Sequence, residues 1–279
     1  MYEILLVEKM NDTVMKMTIN APLVAKKCLP GQFVILRVDE VGERIPLTIY
    51  DYDRKKGTIS IIFQIVGLTT RKLSFLKVGD CLCDFVGPLG KATDITNVNS
   101  ALVIGGGVGS AIAFPICKEL FESGKNVDAI VGFRNKDLVI LEDDFAKNSN
   151  DFYVMSDDGS YGEKGLVTEK LESLVLSGKK YDKVYAIGPL PMMKFVSKVC
   201  EKYNIPITVS MNSIMIDGTG MCGCCRVLVD GKVKFACIDG PEFDGMKVDY
   251  DEAIKRSRMY YKEEREKDCN LLREINEQS

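Results

Sequence analysis

Apolar and polar residues alternate with a period of two through most of the first 97 residues, between short turn signals. In one such run Ile59, Ile61 and Phe63 share one face of a strand, and Ser60 and Gln64 lie on the other. No helical pattern longer than one or two turns interrupts this rhythm. Because closing a sheet removes its exposed edges, the pattern predicts an antiparallel β-barrel over residues 1–97.

From residue 98 to residue 212 the pattern changes to strands that alternate with helices. The predicted elements are the strands Ala101–Ile104, Val127–Val131, Tyr153–Met155, Val184–Ile187 and Ile207–Val209, and the helices Val167–Leu176 and Pro191–Tyr203. Such alternation predicts an α/β domain with a doubly wound parallel sheet, whose ligands bind at the carboxyl ends of the strands.

The remaining residues predict two further segments. Residues 213–248 are rich in Gly and Cys and have little periodicity, so we treat them as a small segment built around their cysteines. Residues 249–279 are mixed in charge and helical in character. This tail is expected either to pack across a partner protein or to cover its own domain.

The amino-acid composition excludes several classes of catalytic and metal site. The chain has 279 residues, a net charge of −3 and no histidine. The missing histidine excludes Ser-His-Asp triads, His-ligated zinc enzymes, Rieske centres and His-ligated haem. The mild acidity gives no reason to expect nucleic acid or an anionic membrane as a partner.

The uncharged stretch Ala101–Cys117 contains four glycines and Pro115, so we expect no membrane helix. With no signal peptide visible, the expected location is the cytoplasm.

Four of the ten cysteines lie within 16 residues. Asp217, Cys222, Cys225 and Cys237 are separated by four, two and eleven residues, which is the spacing of plant-type 2Fe–2S ligands with aspartate in the first position. The glycines among them let backbone amides turn toward the cluster sulfides. Cys224 is expected to be a spare thiol. A structural zinc site and a set of inert thiols remain alternatives.

A glycine-rich turn follows the first predicted strand of the α/β domain. Glycine there lets the backbone approach a pyrophosphate at the start of the next helix, although tight strand–helix packing would need it too. A second loop at the same sheet edge is expected to hold the nicotinamide half of a dinucleotide. The residues predicted for NAD(H) are Gly105, Gly106, Gly107, Gly109, Gly188, Pro189, Met192 and Met193.

Two stretches of the predicted barrel suit a flavin nucleotide. Arginine can pair with a pyrophosphate, and a threonine hydroxyl or amide can hydrogen-bond the edge of a flavin ring. A second stretch can begin a short helix whose amides face a phosphate. The alternatives are a solvated arginine and an ordinary helix N-cap. The residues predicted for FAD are Arg44, Pro46, Leu47, Thr48, Gln64, Gly67, Thr69 and Thr70.

These motifs, in this order, resemble the ferredoxin-NADP reductase superfamily over residues 1–212. The wider superfamily carries Arg-x-Tyr-Ser/Thr at the flavin, whereas Ile45 and Leu47 occupy the Arg and Tyr positions here. The run from Arg44 to Thr48 instead resembles the branch that contains the electron-transfer subunits of dihydroorotate dehydrogenase B. Thr69-Thr70 corresponds to the Gly-Thr pair of that branch, which also carries a C-terminal 2Fe–2S segment.

Within that branch the sequence is most similar to the small subunits of NADH-dependent reduced ferredoxin:NADP+ oxidoreductases. The similarity lies in Asp217-x4-Cys222-x2-Cys225, in residues 157–162 and in residues 239–245. It implies an electron-bifurcating oxidoreductase and a larger partner subunit with its own FAD and 4Fe–4S clusters, which handles NADP(H) and ferredoxin. The dihydroorotate-linked subunits carry four cysteines at the cluster, so Asp217 argues against that role.

The resemblance implies a function in which hydride passes between NAD(H) and FAD, and single electrons then pass to the 2Fe–2S cluster, with no catalytic side chain required. NADH is expected to bind in preference to NADPH, although Arg134 and Lys136 follow the second strand, where a 2′-phosphate could bind. Three alternatives remain: a dihydroorotate dehydrogenase B electron-transfer subunit, a reductase component of an oxygenase, and a zinc-stabilised nucleotide-binding module without enzymatic activity.

Overall fold

The computed structural model describes residues 2–278, and their side chains as far as residue 273. Its N-terminal part is a seven-stranded antiparallel sheet in the order β6-β1-β2-β5-β4-β3-β7. Cys83 alone separates the two edge strands, so the chain joins both edges and rolls the sheet into a nearly closed barrel. The strands are β1 (Tyr2–Lys9), β2 (Val14–Asn20), β3 (Phe33–Arg37), β4 (Ile45–Asp53), β5 (Thr58–Gln64), β6 (Cys81–Leu82) and β7 (Asp84–Leu89).

Two short helices accompany the barrel, α1 (Pro22–Ala25) and α2 (Leu68–Phe75). The predicted alternation is present in β5, where Ile59, Ile61 and Phe63 are all buried inside the barrel. Strand β3 is buried on both faces. Its residues Val34 and Leu36 face the barrel interior, whereas Phe33 and Ile35 pack in the same cluster as Cys225 and Cys237. The barrel and the cysteine-rich segment therefore share a packed interface.

The second part is a seven-stranded sheet in the order β11-β10-β9-β8-β12-β13-β16, where β16 spans Glu242–Asp244. The sheet is parallel except for this last strand. Helices cover both faces, as the alternation of strands and helices predicted. A 3-10 turn spans Lys136–Leu138. The other elements are β8 (Ser100–Gly106), α3 (Gly109–Glu122), β9 (Asn126–Phe133), α4 (Glu142–Lys147), β10 (Asp151–Ser156), β11 (Glu163–Lys164), α5 (Val167–Leu176), β12 (Lys183–Ile187), α6 (Leu190–Lys202) and β13 (Ile207–Ser210).

The C-terminal part contains more regular structure than its sequence indicated. A hairpin of β14 (Arg226–Val229) and β15 (Lys232–Phe235) turns at Asp230 and Gly231, both with positive φ. Such an Asp-Gly turn between alternating strands is a hairpin signal that the sequence analysis missed. Strand β16 (Glu242–Asp244) then pairs with β13 and extends the parallel sheet. The tail forms α7 (Tyr250–Ser257) and α8 (Tyr261–Gln278).

The uncharged stretch that raised the question of a membrane span is the buried strand β8 followed by α3. Of the helices that the structure describes, none has both the length and the apolar character needed to cross a membrane.

Candidate functional site

A cavity of about 1490 Å³ opens where the three parts of the structure meet. Strands β4 and β5 of the barrel form one wall, and the loops after β8 and β12 form another. Residues 210–215, together with Cys224 and Arg226, line the side that faces the C-terminal segment. The cavity therefore lies at the carboxyl ends of the parallel strands, where ligands of doubly wound sheets bind.

Most of the predicted flavin residues line this cavity. Gly67 and Thr69 do not: Gly67 is the N-cap of α2, and Thr69 is buried against the barrel core. The predicted flavin residues in the cavity wall are Arg44, Pro46, Leu47, Thr48, Gln64 and Thr70. The barrel side of the cavity thus brings together residues from β4, β5 and α2.

Thr70 organises the start of α2. Its hydroxyl accepts hydrogen bonds from the backbone N–H groups of Val66 at 3.0 Å and Gly67 at 3.1 Å. It also lies 3.0 Å from the Gly67 carbonyl oxygen, to which it can donate. This is the N-cap geometry that the sequence left open as an alternative to phosphate binding. A ligand contact by Thr70 therefore stays a prediction.

Arg44 is held at the cavity edge by a loose ion pair. Its Nη1 lies 3.5 Å from Oδ2 of Asp84, whereas Arg37 Nε contacts the same oxygen at 2.8 Å. The Nε of Arg44 is buried and has no partner among the described residues. Because an unpaired buried donor is costly, an anionic ligand at this edge of the cavity would supply the missing acceptor.

On the other wall, most of the predicted nucleotide residues also line the cavity. They are Gly106, Gly107, Gly109, Gly188, Pro189 and Met192. The exceptions are Gly105, which packs against Ser110, and Met193, which is 1% exposed and lies in the hydrophobic core. The two methionines at the start of α6 therefore face different environments, because consecutive helical residues point in different directions.

The turn after β8 requires glycine because two backbones meet there. A Cβ on Gly109 would lie 2.6 Å from the Ile187 carbonyl oxygen and 2.7 Å from Gly188 Cα. No other atom lies within 4 Å of the Cβ position of Gly107, which leaves that part of the turn open. Beneath it the hydroxyl of Ser110 is buried without a partner among the described residues. Both the packing and the phosphate-binding interpretations of this turn fit the structure.

The two basic residues after β9 occupy different positions. Arg134 lines the cavity, together with Asp157 at the end of β10. Lys136 instead lies with its Nζ 5.8 Å from the ring centroid of Tyr161. Only Arg134 is therefore placed where it could meet a nucleotide in the cavity.

The predicted iron ligands come together as two pairs. Cys222 Sγ lies 3.3 Å from Asp217 Oδ1, and Cys225 Sγ lies 3.2 Å from Cys237 Sγ. The first pair is at the surface, whereas both thiols of the second pair are buried. Gly218, with φ +81°, turns the loop between Asp217 and Cys222, and a Cβ there would lie 2.6 Å from Leu89 Cδ1 of the barrel.

Hydrogen bonds and burial set the protonation of these groups in the absence of a metal. Desolvation of Asp217 is outweighed by hydrogen bonds from Cys222, Thr219 and the Met221 N–H, which lower the pKa of its carboxyl to about 2. Burial raises the pKa of the Cys237 thiol to about 12. Asp217 is therefore an anionic oxygen donor, and Cys237 becomes a thiolate only when it binds a metal.

This arrangement fits a binuclear cluster. In a 2Fe–2S cluster two protein ligands bind each iron, so each pair would supply the ligands of one iron. Among the described residues there is no group of three or more His, Cys, Asp or Glu side chains arranged around a single metal ion. The donor types suit an iron–sulfur cluster, and the assignment of these four residues as its ligands stays a prediction.

Two residues near this site, Arg256 and Glu264, were not predicted from the sequence. Cys224, the expected spare thiol, lines the cavity with its Sγ 3.9 Å from the Cys222 carbonyl oxygen, and its own carbonyl accepts a hydrogen bond from Arg256 Nη2 at 3.1 Å. Glu264 of α8 also lines the cavity. No local signal identifies Arg256 or Glu264, because the tail reaches the cavity only through the tertiary fold.

Comparison with known proteins gives a family for the C-terminal segment. Residues 212–249 match the model of the iron–sulfur cluster binding domain of dihydroorotate dehydrogenase B. This range contains Asp217 and the cysteines of both pairs.

Relatives extend the match to nearly the whole chain. A dihydroorotate dehydrogenase B (NAD(+)) electron transfer subunit homolog from Thermotoga maritima is 46% identical over 257 residues, which cover 92% of this chain and 90% of the relative. The electron transfer subunit from Fusobacterium nucleatum is 34% identical over 238 residues, which cover 82% of this chain and 90% of that subunit.

Two solved structures are similar to this chain in fold. A chain of the NADH-dependent reduced ferredoxin-NADP oxidoreductase, solved to study flavin-based electron bifurcation, superposes with a TM-score of 0.93 at 43% identity and covers 98% of both chains. The ferredoxin reductase of carbazole 1,9a-dioxygenase shares the fold with a TM-score of 0.64 at 19% identity, over 75% of this chain and 67% of that one.

Proposed function

Because the chain belongs to the family of dihydroorotate dehydrogenase B electron-transfer subunits and their homologues, we propose that it is the small subunit of an electron-bifurcating, NADH-dependent ferredoxin:NADP+ oxidoreductase. It is an oxidoreductase subunit of the ferredoxin-NADP reductase type, with an iron–sulfur binding segment. In our proposal it carries electrons between NAD(H), FAD and a 2Fe–2S cluster.

The observation that carries this proposal is the shared cavity. One continuous space of about 1490 Å³ is lined by the flavin motif at Arg44–Thr48, the Gly-rich turn at Gly106–Gly109 and Cys224 beside the predicted iron ligands. Electron transfer between two organic cofactors and a metal cluster requires that all three lie close together. A nucleotide-binding module without redox activity would have no need for this convergence.

On the barrel side, residues of this chain would bind and orient the flavin nucleotide. Arg44 offers an unpaired buried Nε for a pyrophosphate oxygen, and Thr48 and Gln64 offer polar groups for the edge of a flavin ring. Bound flavin supplies the conversion between the two-electron chemistry of a nicotinamide and the one-electron chemistry of a cluster. Leu47 and Pro46 add apolar surface that keeps water away from the ring.

On the sheet side, the open turn at Gly107 and the start of α3 would hold the pyrophosphate of NAD(H). Gly188 in the loop after β12 and Met192 at the start of α6 line the part of the cavity where the nicotinamide half would lie against the barrel. None of these residues needs to donate or accept a proton, which suits a chain without histidine. We expect NADH to bind more tightly than NADPH, because Asp157 beside Arg134 disfavours a 2′-phosphate.

At the C-terminal side, Asp217 and Cys222 would hold one iron, and Cys225 and Cys237 the other. In the first pair Cys222 is exposed and Asp217 is half-buried, whereas both thiols of the second pair are buried. The exposed side includes Met221, which is 88% exposed between two predicted ligands.

We assign the partner as a larger subunit with its own FAD and 4Fe–4S clusters, which handles NADP(H) and ferredoxin. We place the complex in the cytoplasm, whose reducing conditions keep cysteines available as iron ligands.

Anaerobic purification tests the cofactor assignment. We expect two irons with acid-labile sulfide and one flavin per chain, and a lower Kd for NADH than for NADPH. Reconstitution with the large subunit should then give NADH-dependent reduction of NADP+ that requires reduced ferredoxin. Zinc in place of iron, or a chain without flavin, would overturn the proposal. Reconstitution only with a dihydroorotate dehydrogenase would instead identify the related family function.

A further inference from the structure

Arg256 of α7 reaches back to the loop between two predicted iron ligands. Its Nη2 donates to the carbonyl oxygen of Cys224 at 3.1 Å, and Cys224 lies between Cys222 and Cys225. The Arg256 side chain is only 20% exposed, and both Arg256 and Cys224 line the shared cavity. A largely desolvated guanidinium therefore lies on the cavity side of the cluster-binding loop.

Helix α7 holds this arginine rigidly. Its N-cap Asp249 accepts a hydrogen bond from the Glu252 N–H at 3.0 Å. The Tyr250 hydroxyl lies 2.8 Å from Ser197 Oγ of α6, and both residues are buried. Lys194 of α6 forms an ion pair with Asp251 at 2.6 Å. Helix α7 is thus fixed to the helix that also carries Met192 into the cavity.

The charge on Arg256 is not fully neutralised by its neighbour. Glu252 Oε1 lies 3.7 Å from Arg256 Nε, which is long for a charge-assisted hydrogen bond. The other carboxylate oxygen of Glu252 is buried without a partner among the described residues. Arg256 therefore keeps its Nη2 free for the Cys224 carbonyl and its positive charge close to the loop.

We propose that Arg256 is a positioning residue of the iron–sulfur centre, which fixes the Cys222–Cys225 loop at the cavity and favours the reduced cluster. This inference rests on the proposed 2Fe–2S site. Reduction adds one electron, and hence one negative charge, without making or breaking a bond to the protein. A fixed positive charge in a poorly solvated site stabilises that added charge, and nearby charges and hydrogen bonds are the means by which proteins set cluster potentials.

Three variants of Arg256 separate the effect of its charge from the effect of its packing and hydrogen bonding. Arg256→Lys keeps the charge, Arg256→Gln keeps a donor without the charge, and Arg256→Met removes both. Lys255→Gln is the matched control, because Lys255 is exposed on the same helix. The measurement is the midpoint potential of the cluster in the full-length chain, by redox titration followed with EPR, alongside iron and flavin content.

We expect Arg256→Gln and Arg256→Met to lower the midpoint potential with full iron content, and Arg256→Lys to stay near the parent protein. Loss of iron in the Gln and Met variants with retention in the Lys variant would also support the proposal. Unchanged potentials, an equal shift in Lys255→Gln, or iron loss from all three variants would overturn it. A parent chain that binds no iron would instead contradict the proposed function itself.

Discussion

Arg71 and Asp268 are 197 positions apart, yet they form a bidentate ion pair. Arg71 Nε lies 2.6 Å from Asp268 Oδ1, and Nη2 lies 2.9 Å from Oδ2. The pair joins α8 to α2, the helix that carries Thr70 into the cavity wall, and α8 itself contributes Glu264 to that wall. The tail therefore packs against the barrel of its own chain, and a contact of the tail with a partner protein stays a prediction.

Replacing Asp268 by Asn should loosen α8 from the barrel. The change removes a charge-assisted pair between partly buried groups, which contributes about 1–3 kcal/mol. Because α8 borders the cavity beside α2, we expect the full-length chain to release flavin several-fold faster. Flavin fluorescence after dilution measures that rate. Glu266→Gln, at an exposed position on the same helix, is the control; equal release rates in both variants would contradict a retaining role for the ion pair.

The same pair predicts an acid transition of the tail. The hydrogen bonds from Arg71 lower the pKa of Asp268. The stabilisation is therefore complete above the ordinary carboxyl pKa and is lost as the pH falls through the lowered value. We expect flavin release in the parent protein to accelerate below about pH 4, and Asp268→Asn to lose this acceleration. An identical acid response in both proteins would assign it to other carboxyls.

The elements that could be predicted from the sequence are those with a strong local pattern. Helix α5 has the predicted bounds, Val167–Leu176, because its apolar residues repeat with the helical period and pack against the sheet. The alternation of apolar and polar residues was sufficient to predict strand β5, because one face of this strand is buried in the barrel. The contact between Asp217 and Cys222 also agrees with a motif that is local in sequence, while their role as iron ligands stays a prediction.

Contacts between distant segments could not be predicted in this way. Strand β16 has three residues and pairs with β13 only because the intervening segment returns to the sheet edge. Arg256 contacts Cys224 across 32 positions, and nothing in the pattern of α7 points to that partner. Met193 was assigned to the cavity by its motif, but the helical rotation places it in the core.

Glu242 predicts a pH dependence of stability at the junction of the three parts. Its Oε1 accepts a hydrogen bond from Thr93 of the barrel at 2.6 Å, and its strand pairs with β13. The pKa of this carboxyl is raised to about 7, mainly because the side chain is desolvated and in smaller part because Asp94 lies nearby. The hydrogen bond from Thr93 and the charge of Lys183 act in the opposite direction and lower the pKa. The folded state therefore holds the proton more tightly than the unfolded state does.

The sign of the effect follows from this difference. Between the ordinary pKa of 4.5 and about 7 the unfolded chain loses the proton first, so the free energy of unfolding falls as the pH rises through that window. The loss is on the order of 3 kcal/mol. Glu242→Gln should remove this component, which urea unfolding at several pH values measures. Asp244→Asn, at an exposed position on the same strand, should keep it; a Gln variant with the parent pH profile would refute the assignment.

Two adjacent cysteines should respond differently to the same substitution. Cys225 is buried beside Cys237, whereas Cys224 faces the cavity. We expect Cys225→Ser to lose most of its iron and its EPR signal, because a hydroxyl is a poor replacement for a thiolate ligand. Cys224→Ser should keep full iron and sulfide content. Iron loss from Cys224→Ser with retention in Cys225→Ser would mean that the ligands are assigned to the wrong cysteines.

Adding a methyl group at Gly109 should separate the two loops that are predicted to bind the nucleotide. The new Cβ would lie 2.6 Å from the Ile187 carbonyl oxygen, so the turn after β8 must move away from Gly188. We expect Gly109→Ala to raise the Kd for NADH by at least about 10-fold, since loss of a well-formed phosphate site costs more than about 1.4 kcal/mol, while flavin content stays unchanged.

The control for this prediction must destabilise the chain without touching the cavity. Gly178, with φ +97° and open space around its Cβ position, meets that condition. Alanine there costs about 1 kcal/mol of stability from the left-handed conformation, and should leave nucleotide affinity intact. Titration of both variants with NADH separates the two effects. Equal losses of affinity would show that general destabilisation is the cause, whereas a loss in Gly109→Ala alone would locate the pyrophosphate at this turn.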